Sequence, residues 1–189
     1  MLISRFDTAD IEKHVGDYEA KNGFAFPAQY REFLLKFNGG NTPKTNFRMN
    51  KVSSDLEGFY GLGNARESLN YESFDSMDMI RDFLDDGMLP IGSNSYGDYI
   101  TIGIGGDNNG KVYFLYHDRA KKYKELADDF KTFVDKCKSK KIGHVYTIEE
   151  SKATVLSHDP NHIFKQYEID SWQKEIDRYS NMKQEELVF

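Results

Sequence analysis

A glycine-rich stretch, GIGGDNNGKVYF at residues 103–114, comes closest to a phosphate-binding motif. From Gly105, four residues precede Gly110 and Lys111, which is the P-loop spacing up to its last position, where Val112 replaces the required Ser or Thr. A P-loop leads into a helix whose N–H groups face the phosphate, whereas the residues after Lys111 are strand formers. The stretch also lacks the length and the closing Glu of an EF-hand loop. We therefore predict a hairpin loop without a phosphate or calcium site.

Two histidines, His158 and His162, have the spacing of a zinc-binding pair on one helical face. Pro160 lies between them and argues against a continuous helical face, because proline disrupts the interior of a helix. The pair of Asp159 and Pro160 instead predicts a helix cap followed by the first residue of a helix. We expect solvated or capping histidines and predict no metal site in the chain.

The sequence contains no pattern typical of nucleophilic catalysis. Cys137 is the only cysteine and lies on the apolar side of a predicted helix, where a buried neutral thiol is normal. No serine stands in a Gly-x-Ser-x-Gly elbow. His117 and Asp118 directly follow a predicted strand, and we expect His117 to form a local hydrogen bond. An enzyme would be favoured only if His117 and Asp98 met in a pocket with shifted pKa values. We predict neither catalytic residues nor a cofactor.

An acidic segment is the remaining candidate for a functional surface. Six carboxylates occur within fifteen residues: Glu72, Asp75, Asp78, Asp82, Asp85 and Asp86. We expect Asp78, Asp82 and Asp85 to share one face of a helix. Like charges at this spacing destabilise a helix by roughly a few tenths of a kcal/mol, and a basic partner would turn the repulsion into attraction. Asp78 is also favoured near a helix start by the helix dipole, without any partner.

Composition and charge limit the classes of protein to consider. The 189 residues fit one globular domain with an appendage, and a mean hydropathy of −0.69 indicates a hydrated surface. Residues 55–98 hold ten acidic side chains against two arginines, whereas residues 111–144 hold ten basic side chains against five acidic ones. With a net charge of −6, this distribution argues against direct nucleic-acid binding and permits attraction of a basic partner.

The N-terminal stretch MLISRFDTADIEKH lacks the apolar region of a signal peptide, and no run approaches the roughly 18 apolar residues of a membrane span. The single cysteine agrees with a reducing compartment. We therefore expect a cytoplasmic protein without membrane contact, as a monomer or weak dimer.

Periodicity predicts the elements that position these residues. PAQYREFLLKFNGG predicts a helix over residues 27–37, ended by the following Asn-Gly-Gly. YITIGI and KVYFLY predict a β-hairpin over residues 99–116, and the second strand is expected inside the sheet because both its faces are apolar. A weaker helix is predicted over residues 8–21, and LADDFKTFVDKCKSKK predicts another over residues 126–141.

Between these elements the signals are shorter. FRMNKV and LEGFYGLG, within residues 41–64, predict brief strands. SMDMIRDFLDDG predicts a short helix capped by Ser76, and MLPIGS predicts a strand that Pro90 confines to a sheet edge or a strand start. Residues 145–189 predict a tail with one helix. Helices, then strands, then helices indicate an α+β protein.

Several of these stretches together resemble the SUKH superfamily. FAFPAQYREFLLKFNGG (24–40) is similar to its Pro-x-x-Tyr-x-x-Phe-Leu…Asn-Gly-Gly opening, and FYGLG (59–63) is similar to the following turn. LPIGSNSYGDYITIGIGGDNNGKVYFLYHD (89–118) resembles the central signature, in which a Gly-Asp turn precedes a hairpin that ends in His-Asp. FKTFVDKC (130–137) resembles the closing Phe-x-x-Phe helix. The resemblance extends over about residues 8–140.

The resemblance implies a SUKH-like α+β fold with a curved, mostly antiparallel sheet and flanking helices. We assign this domain to residues 1–144 and a C-terminal helical extension, packed on or beside it, to residues 145–189. The resemblance implies no catalysis. Bacterial members are typically immunity proteins that bind and neutralise a cognate secreted toxin, often a nuclease or deaminase, and the eukaryotic relatives of the Smi/Knr type are regulators.

Our hypothesis is a cytoplasmic immunity protein that binds a nucleic-acid-modifying toxin through one face of the sheet and the acidic segment. The toxin is expected to be basic, because enzymes that act on nucleic acids present basic surfaces. The alternative is a regulatory or adaptor module without a toxin partner. The candidate partner-binding residues are Glu72, Asp75, Asp78, Asp82, Asp85, Asp86, Tyr96 and Asp98.

Overall fold

The computed structural model describes residues 1–63, 65, 74, 80–118 and 122–188. These residues form the following elements in chain order: β1 (Leu2–Arg5), α1 (Ile11–Asn22), α2 (Ala28–Phe37), β2 (Gly40–Met49), β3 (Val52–Phe59), α3 (Ile80–Leu84), β4 (Met88–Ser93), β5 (Tyr99–Gly103), a 3₁₀ turn (Gly106–Asn108), β6 (Val112–Leu115), β7 (Lys124–Ala127), α4 (Phe130–Lys136), β8 (Lys138–Ser139), α5 (Ile148–His158), α6 (Gln166–Tyr179) and β9 (Glu185–Glu186).

The strands form one curled antiparallel sheet. Eight of them follow the order β7-β6-β5-β4-β3-β2-β1-β9. The short strand β8 also pairs with β2, on the same side of β2 as β1 but further along it. The sheet curls into a half-barrel flanked by helices. The predicted α+β class and the curved antiparallel sheet are therefore confirmed.

The main core lies between the sheet and helices α1, α2 and α4. The apolar stripe of α2 is buried, as predicted from its spacing. Phe33 of this stripe has its ring centroid 5.1 Å from that of Phe59 on β3 and 5.1 Å from that of Phe130 on α4. The Phe59 and Phe130 rings are 5.4 Å apart. Aromatic pairs at such distances add roughly 0.5–1.5 kcal/mol each beyond area burial, so this cluster joins both helices to the sheet.

The predicted hairpin of β5 and β6 is confirmed, and β6 lies inside the sheet between β5 and β7. In its loop, Gly103 N donates to Lys111 O and Gly110 N donates to Gly103 O, both at 2.9 Å. A Cβ on Gly103 would lie 2.0 Å from Asn108 O, so only glycine fits there. Lys111 Nζ lies 3.7 Å from Glu125 Oε2 on β7. The glycine-rich stretch is thus a hairpin loop, as expected.

The region of β2 and β3 differs from the predicted short strands. FRMNKV is not one strand, because its residues Asn50 and Lys51 form the turn between two long strands. Both have positive φ, 45° and 67°, which is the geometry of a type I′ turn. The ladder across this turn pairs Met49 with Val52 and continues to Thr45 and Leu56. The prediction failed because lysine is an uncommon residue at such a position.

The strand that contains Pro90 is not an edge strand and Pro90 is not at its start, so that expectation was wrong, although the ladder between β3 and β4 includes only Gly92 and Ser93 of β4. Its strand, β4, is hydrogen-bonded between β3 and β5. The register between β4 and β5 shifts between Pro90 and Gly92, which is where a proline without an N–H can be placed inside a sheet.

The helix predicted over residues 126–141 is shorter than expected. Leu126 belongs to β7 and is buried. Asp129 caps the helix, because its Oδ1 accepts a hydrogen bond from Thr132 N at 2.7 Å. Cys137 follows α4 in an extended conformation and leads into β8. The N-cap therefore starts the helix four residues later than apolar spacing predicted.

The C-terminal region contains two helices rather than the single predicted one. Helix α5 begins with a capping box, in which Glu150 N donates to Thr147 Oγ1 and Thr147 N donates to Glu150 Oε2. On α6, Arg178 forms an ion pair with Glu57 of β3. The chain then returns to the sheet through β9, which pairs with β1. The division of the chain at residue 144 stays a prediction.

In the part of the chain that the structure describes, no helix combines the length and the apolar character needed to cross a membrane.

Candidate protein-interaction surface

The turn between β4 and β5 is held by the buried side chain of Asn94. Asn94 Oδ1 accepts hydrogen bonds from the backbone N–H groups of Tyr96 and Asp98, at 3.0 and 2.8 Å. Asn94 Nδ2 donates to Asp98 Oδ2 at 3.0 Å and to Ser54 Oγ of β3 at 2.9 Å. One side chain therefore closes the turn and ties it to the neighbouring strand.

A second anchor fixes the tip of this turn. Ser95 N donates to Asp55 Oδ2 of β3 at 3.0 Å. Gly97 has φ of +83°, a conformation that glycine adopts without strain. Tyr96 stands between these two residues with 76% of its surface exposed. A large amphipathic ring thus projects from a turn in which the backbone N–H groups of residues 95–98 all donate hydrogen bonds.

Asp98 and His117 connect the same turn to the end of β6. Asp98 Oδ1 accepts a hydrogen bond from His117 N at 3.1 Å and lies 2.9 Å from His117 Nδ1. Burial alone raises the pKa of Asp98, but the hydrogen bonds from His117 and Asn94 and the charge of His117 outweigh it and lower that pKa below its ordinary value of 3.8. His117 was expected to form a local hydrogen bond, whereas its partner lies nineteen positions earlier in the chain.

Asp98, His117 and Asp118 each bring one possible metal ligand within 4.8 Å of the others. Both Asp98 oxygens already accept hydrogen bonds from the protein, and His117 and Asp118 are exposed. The proximity of these three side chains is therefore explained by the hydrogen bonds of Asp98 that close the β4–β5 turn and join it to the end of β6. Cavities of about 310, 1060 and 270 Å³ among the described residues are lined by other side chains.

We use the name turn surface for Asp55, Tyr96, His117 and Asp118. The four residues come from three places in the chain, the middle of β3, the β4–β5 turn and the end of β6. The Asn94 and Asp98 hydrogen bonds bring them together. Around the exposed Tyr96 ring, the turn surface offers two carboxylates and an imidazole.

The structure places the predicted candidates differently. Tyr96 is exposed, as a contact residue must be, whereas Asp98 is 7% exposed and holds the turn from within. Asp82, Asp85 and Asp86 are exposed at α3 and just after it, and Asp86 Oδ2 accepts a hydrogen bond from Tyr123 Oη at 2.8 Å. Glu72, Asp75 and Asp78 lie outside the described residues. The shared helical face of Asp78, Asp82 and Asp85 stays a prediction.

Helix α3 is close to the turn, and its Phe83 reaches the sheet face opposite the main core, whereas Ile80 and Leu84 of the same helix pack against that core. Phe83 on α3 is buried, and its ring centroid is 5.2 Å from that of Tyr99, the residue after Asp98. The cross-strand pair of Tyr99 and Leu115 lies on this face. The contact between Phe83 and Tyr99 therefore places the acids of α3 on the same part of the sheet as the turn.

The two histidines that might have bound zinc have separate contacts. His158 is the last residue of α5, and its Nδ1 lies 2.9 Å from Thr154 O. His162 Nε2 lies 3.0 Å from Glu168 Oε1 at the start of α6. Asp159 is the C-cap of α5 and does not precede the first residue of a helix, so the predicted cap at the start of a helix was wrong.

Cys137 is buried, as expected, although it follows α4 instead of lying on its face. Burial raises the pKa of the Cys137 thiol to about 12. A thiol that stays protonated at neutral pH is a poor nucleophile, so its position agrees with a packing role.

The comparison with family models gives one match that decides the family. Residues 12–136 match the SMI1 / KNR4 family (SUKH-1). The chain belongs to this family. Comparisons with the curated proteins and with the solved structures give no match. The matched SUKH-1 region contains the whole turn surface and extends from α1 to the end of α4.

The motifs that carried the SUKH resemblance have structural roles here. Asn38, in the Asn-Gly-Gly motif, donates from Nδ2 to Leu62 O at 2.9 Å and accepts at Oδ1 from Leu62 N at 2.8 Å. Leu62 lies in the FYGLG motif, so the two motifs bond to each other. A Cβ on Gly39 would lie 2.5 Å from Tyr60 O, which explains glycine at that position.

Sequence reasoning singled out Tyr96, His117 and Asp118 but missed Asn94 and Asp55, whose hydrogen bonds fix the turn. Asp55 gave no periodic or motif signal. Asn94 lies within the stretch that resembles the SUKH signature, and an Asn that starts a turn can bond to the backbone two residues later. That local rule could have identified Asn94. The contact of Ser95 with Asp55, forty residues apart, had no sequence signal.

Proposed function

We propose that this SUKH-1 protein is an immunity protein that binds and neutralises a cognate bacterial toxin in the cytoplasm. The observation that carries the proposal is Tyr96, a largely exposed aromatic ring on a turn fixed by buried hydrogen bonds. Membership of the family supports it, because SUKH proteins serve as immunity or regulatory domains.

The position of Tyr96 favours a role in protein binding. Tyrosine is enriched among the residues that dominate binding energy, and its ring loses little conformational freedom on association. The hydrogen bonds of Asn94 hold the turn in one conformation before any partner arrives. A preordered turn loses less entropy on binding, which raises the affinity of the contact.

The surrounding charge favours a basic partner. Asp55 and Asp118 lie in the turn surface, and Asp82, Asp85 and Asp86 lie on and after α3. Carboxylates around an aromatic contact attract a positively charged protein and speed up its association. A nuclease or another nucleic-acid-modifying toxin has such a surface, because its substrate is a polyanion.

The test is binding and rescue with the toxin encoded beside the gene of this chain. Wild-type protein should form a complex with that toxin and restore growth when both are co-expressed. Tyr96→Ala should weaken the complex by about thirtyfold or more, which corresponds to the lower limit of about 2 kcal/mol for a residue that dominates an interface. Asp82→Lys with Asp85→Lys should mainly slow association, measured at low salt by a surface-binding assay.

The control for charge is Glu12→Lys with Glu32→Lys, two exposed residues on α1 and α2 that change the net charge equally. This variant should associate close to the wild-type rate. Failure of the wild-type protein to bind the toxin or to restore growth would overturn the proposal. Equal binding by wild type, Tyr96→Ala and Asp82→Lys/Asp85→Lys would remove both surfaces from the interface.

A further inference from the structure

A cleft of about 310 Å³ lies between β2, the chain after β8 and the C-terminal helices. Lys44 of β2 lines it together with residues 140–146, and Trp172 and Glu175 of α6 line it from the helical side. The cleft shares no lining residue with the turn surface. The cleft is therefore lined by a different set of side chains from the turn surface, although Lys44 also lines a neighbouring cavity with Asp55.

Backbone and side-chain hydrogen bonds preform this cleft. Lys140 N donates to Lys44 O at 3.2 Å, which continues the pairing of β8 with β2. Further along, Ile142 N donates to Gln184 Oε1 at 2.6 Å, and Gln184 Nε2 donates to Ile142 O at 3.0 Å. The segment that carries the cleft's lysines is thus fastened at both of its ends.

The cleft carries an excess of positive charge in an acidic protein. Lys44 Nζ lies 3.3 Å from Glu175 Oε1. Among the residues that the structure describes, no carboxylate lies within 4.0 Å of the ammonium groups of Lys140 or Lys141. Both lysines are exposed. Two ammonium groups without a carboxylate partner favour an anionic ligand.

Aromatic side chains line the same space. Trp172 is the only tryptophan of the chain, and it is partly buried at the cleft. Tyr146 lines the cleft with 56% of its surface exposed. Aromatic faces bind planar heterocyclic rings by stacking, which is worth roughly 1–3 kcal/mol per base.

We propose that this cleft binds a nucleoside monophosphate. Lysine ammonium groups bind phosphate as point charges, and the indole and phenol rings offer stacking surfaces for the base. The volume is at the lower end of the range for small-molecule sites, which suits one mononucleotide. This site is independent of the proposed immunity function.

The test uses the full chain and the fluorescence of Trp172, which lines the cleft and is the only tryptophan. Titration with AMP and with GMP should give a saturable change for at least one of them. Adenosine or guanosine without phosphate, and inorganic phosphate alone, should bind at least about tenfold more weakly. Lys140→Gln with Lys141→Gln should weaken nucleotide binding about tenfold or more, since each removes a charge-assisted contact.

The matched control is Lys21→Gln with Lys136→Gln, which removes the same charge at exposed lysines outside the cleft. Calorimetry of Trp172→Leu should show weaker nucleotide binding as well, with an unchanged melting temperature as the check of folding. No saturable signal with either nucleotide, or equal losses in the cleft and control variants, would overturn the proposal. Tighter binding of a single-stranded oligonucleotide than of the mononucleotide would overturn the proposal too, because the lysines would then bind successive phosphates of a nucleic-acid strand.

Discussion

Oδ1 of Asp98 lies 2.9 Å from Nδ1 of His117 and also accepts the hydrogen bond of the His117 N–H. The other oxygen of the same carboxylate accepts from Asn94. One buried carboxylate therefore joins the β4–β5 turn to the end of β6 and helps to fix the turn from which Tyr96 projects.

Replacing Asp98 by Asn should destabilise the fold by about 1–3 kcal/mol at pH 7, because the new amide N–H₂ would face a donor of Asn94 or His117. The lowered pKa of Asp98 means that its carboxylate stabilises the fold fully above its ordinary value of 3.8 and loses this effect as the pH falls through the lower folded value. The difference in unfolding free energy between wild type and Asp98→Asn should therefore shrink below about pH 4, as measured by urea unfolding.

The control for this measurement is Asp107→Asn in the exposed hairpin loop, where stability should stay within roughly 0.5 kcal/mol of wild type. A constant difference between wild type and Asp98→Asn from pH 7 to pH 3 would contradict the assigned role.

Replacing Asn38 by Gly should cost at least about 2 kcal/mol, because it removes the two bonds to Leu62 and a third from Nδ2 to Asp7 O. Glycine keeps the positive φ of 51°, so this variant measures the hydrogen bonds without added strain. Asn38→Ala should cost more, since alanine is strained at that φ. Urea unfolding of both variants, with the exposed Asn161→Gly for comparison, checks the order.

Truncating Phe59 to Ala should destabilise the protein by about 3–5 kcal/mol, because the fully buried ring packs against both Phe33 and Phe130. Tyr96→Ala should change the unfolding free energy by less than about 0.5 kcal/mol, since that ring is exposed. Thermal and urea unfolding measure both. Comparable losses for the two variants would mean that Tyr96 supports the fold rather than a contact.

The Cys137 thiol should be unreactive in the native state. Burial raises its pKa to about 12, so only a negligible fraction is thiolate at pH 8. A disulfide-exchange reagent should label Cys137 in the native protein only as fast as the protein transiently unfolds. In denaturant the same reagent should label Cys137 immediately. Rapid labelling of the native protein at the rate of a free thiol would contradict the buried position.

Local patterns were enough for several elements. The spacing of Tyr30, Phe33 and Phe37 predicted α2, and alternation predicted the β5–β6 hairpin, because both signals arise from neighbours in the chain. The same reasoning failed at Pro90 and at Asn50. There, a register shift inside the sheet and a type I′ turn with lysine depend on how the strands pair.

The sequence by itself determined the α+β class, the family resemblance, the acidic segment and the loop nature of the glycine-rich stretch. Those features follow from residue type and near-neighbour spacing, which folding does not alter. The tertiary structure decided which polar groups meet. Asp98 became an internal support and Tyr96 an exposed ring because Asn94, His117 and β3 converge on one turn, and contacts across nineteen to forty residues leave no periodic trace in a chain.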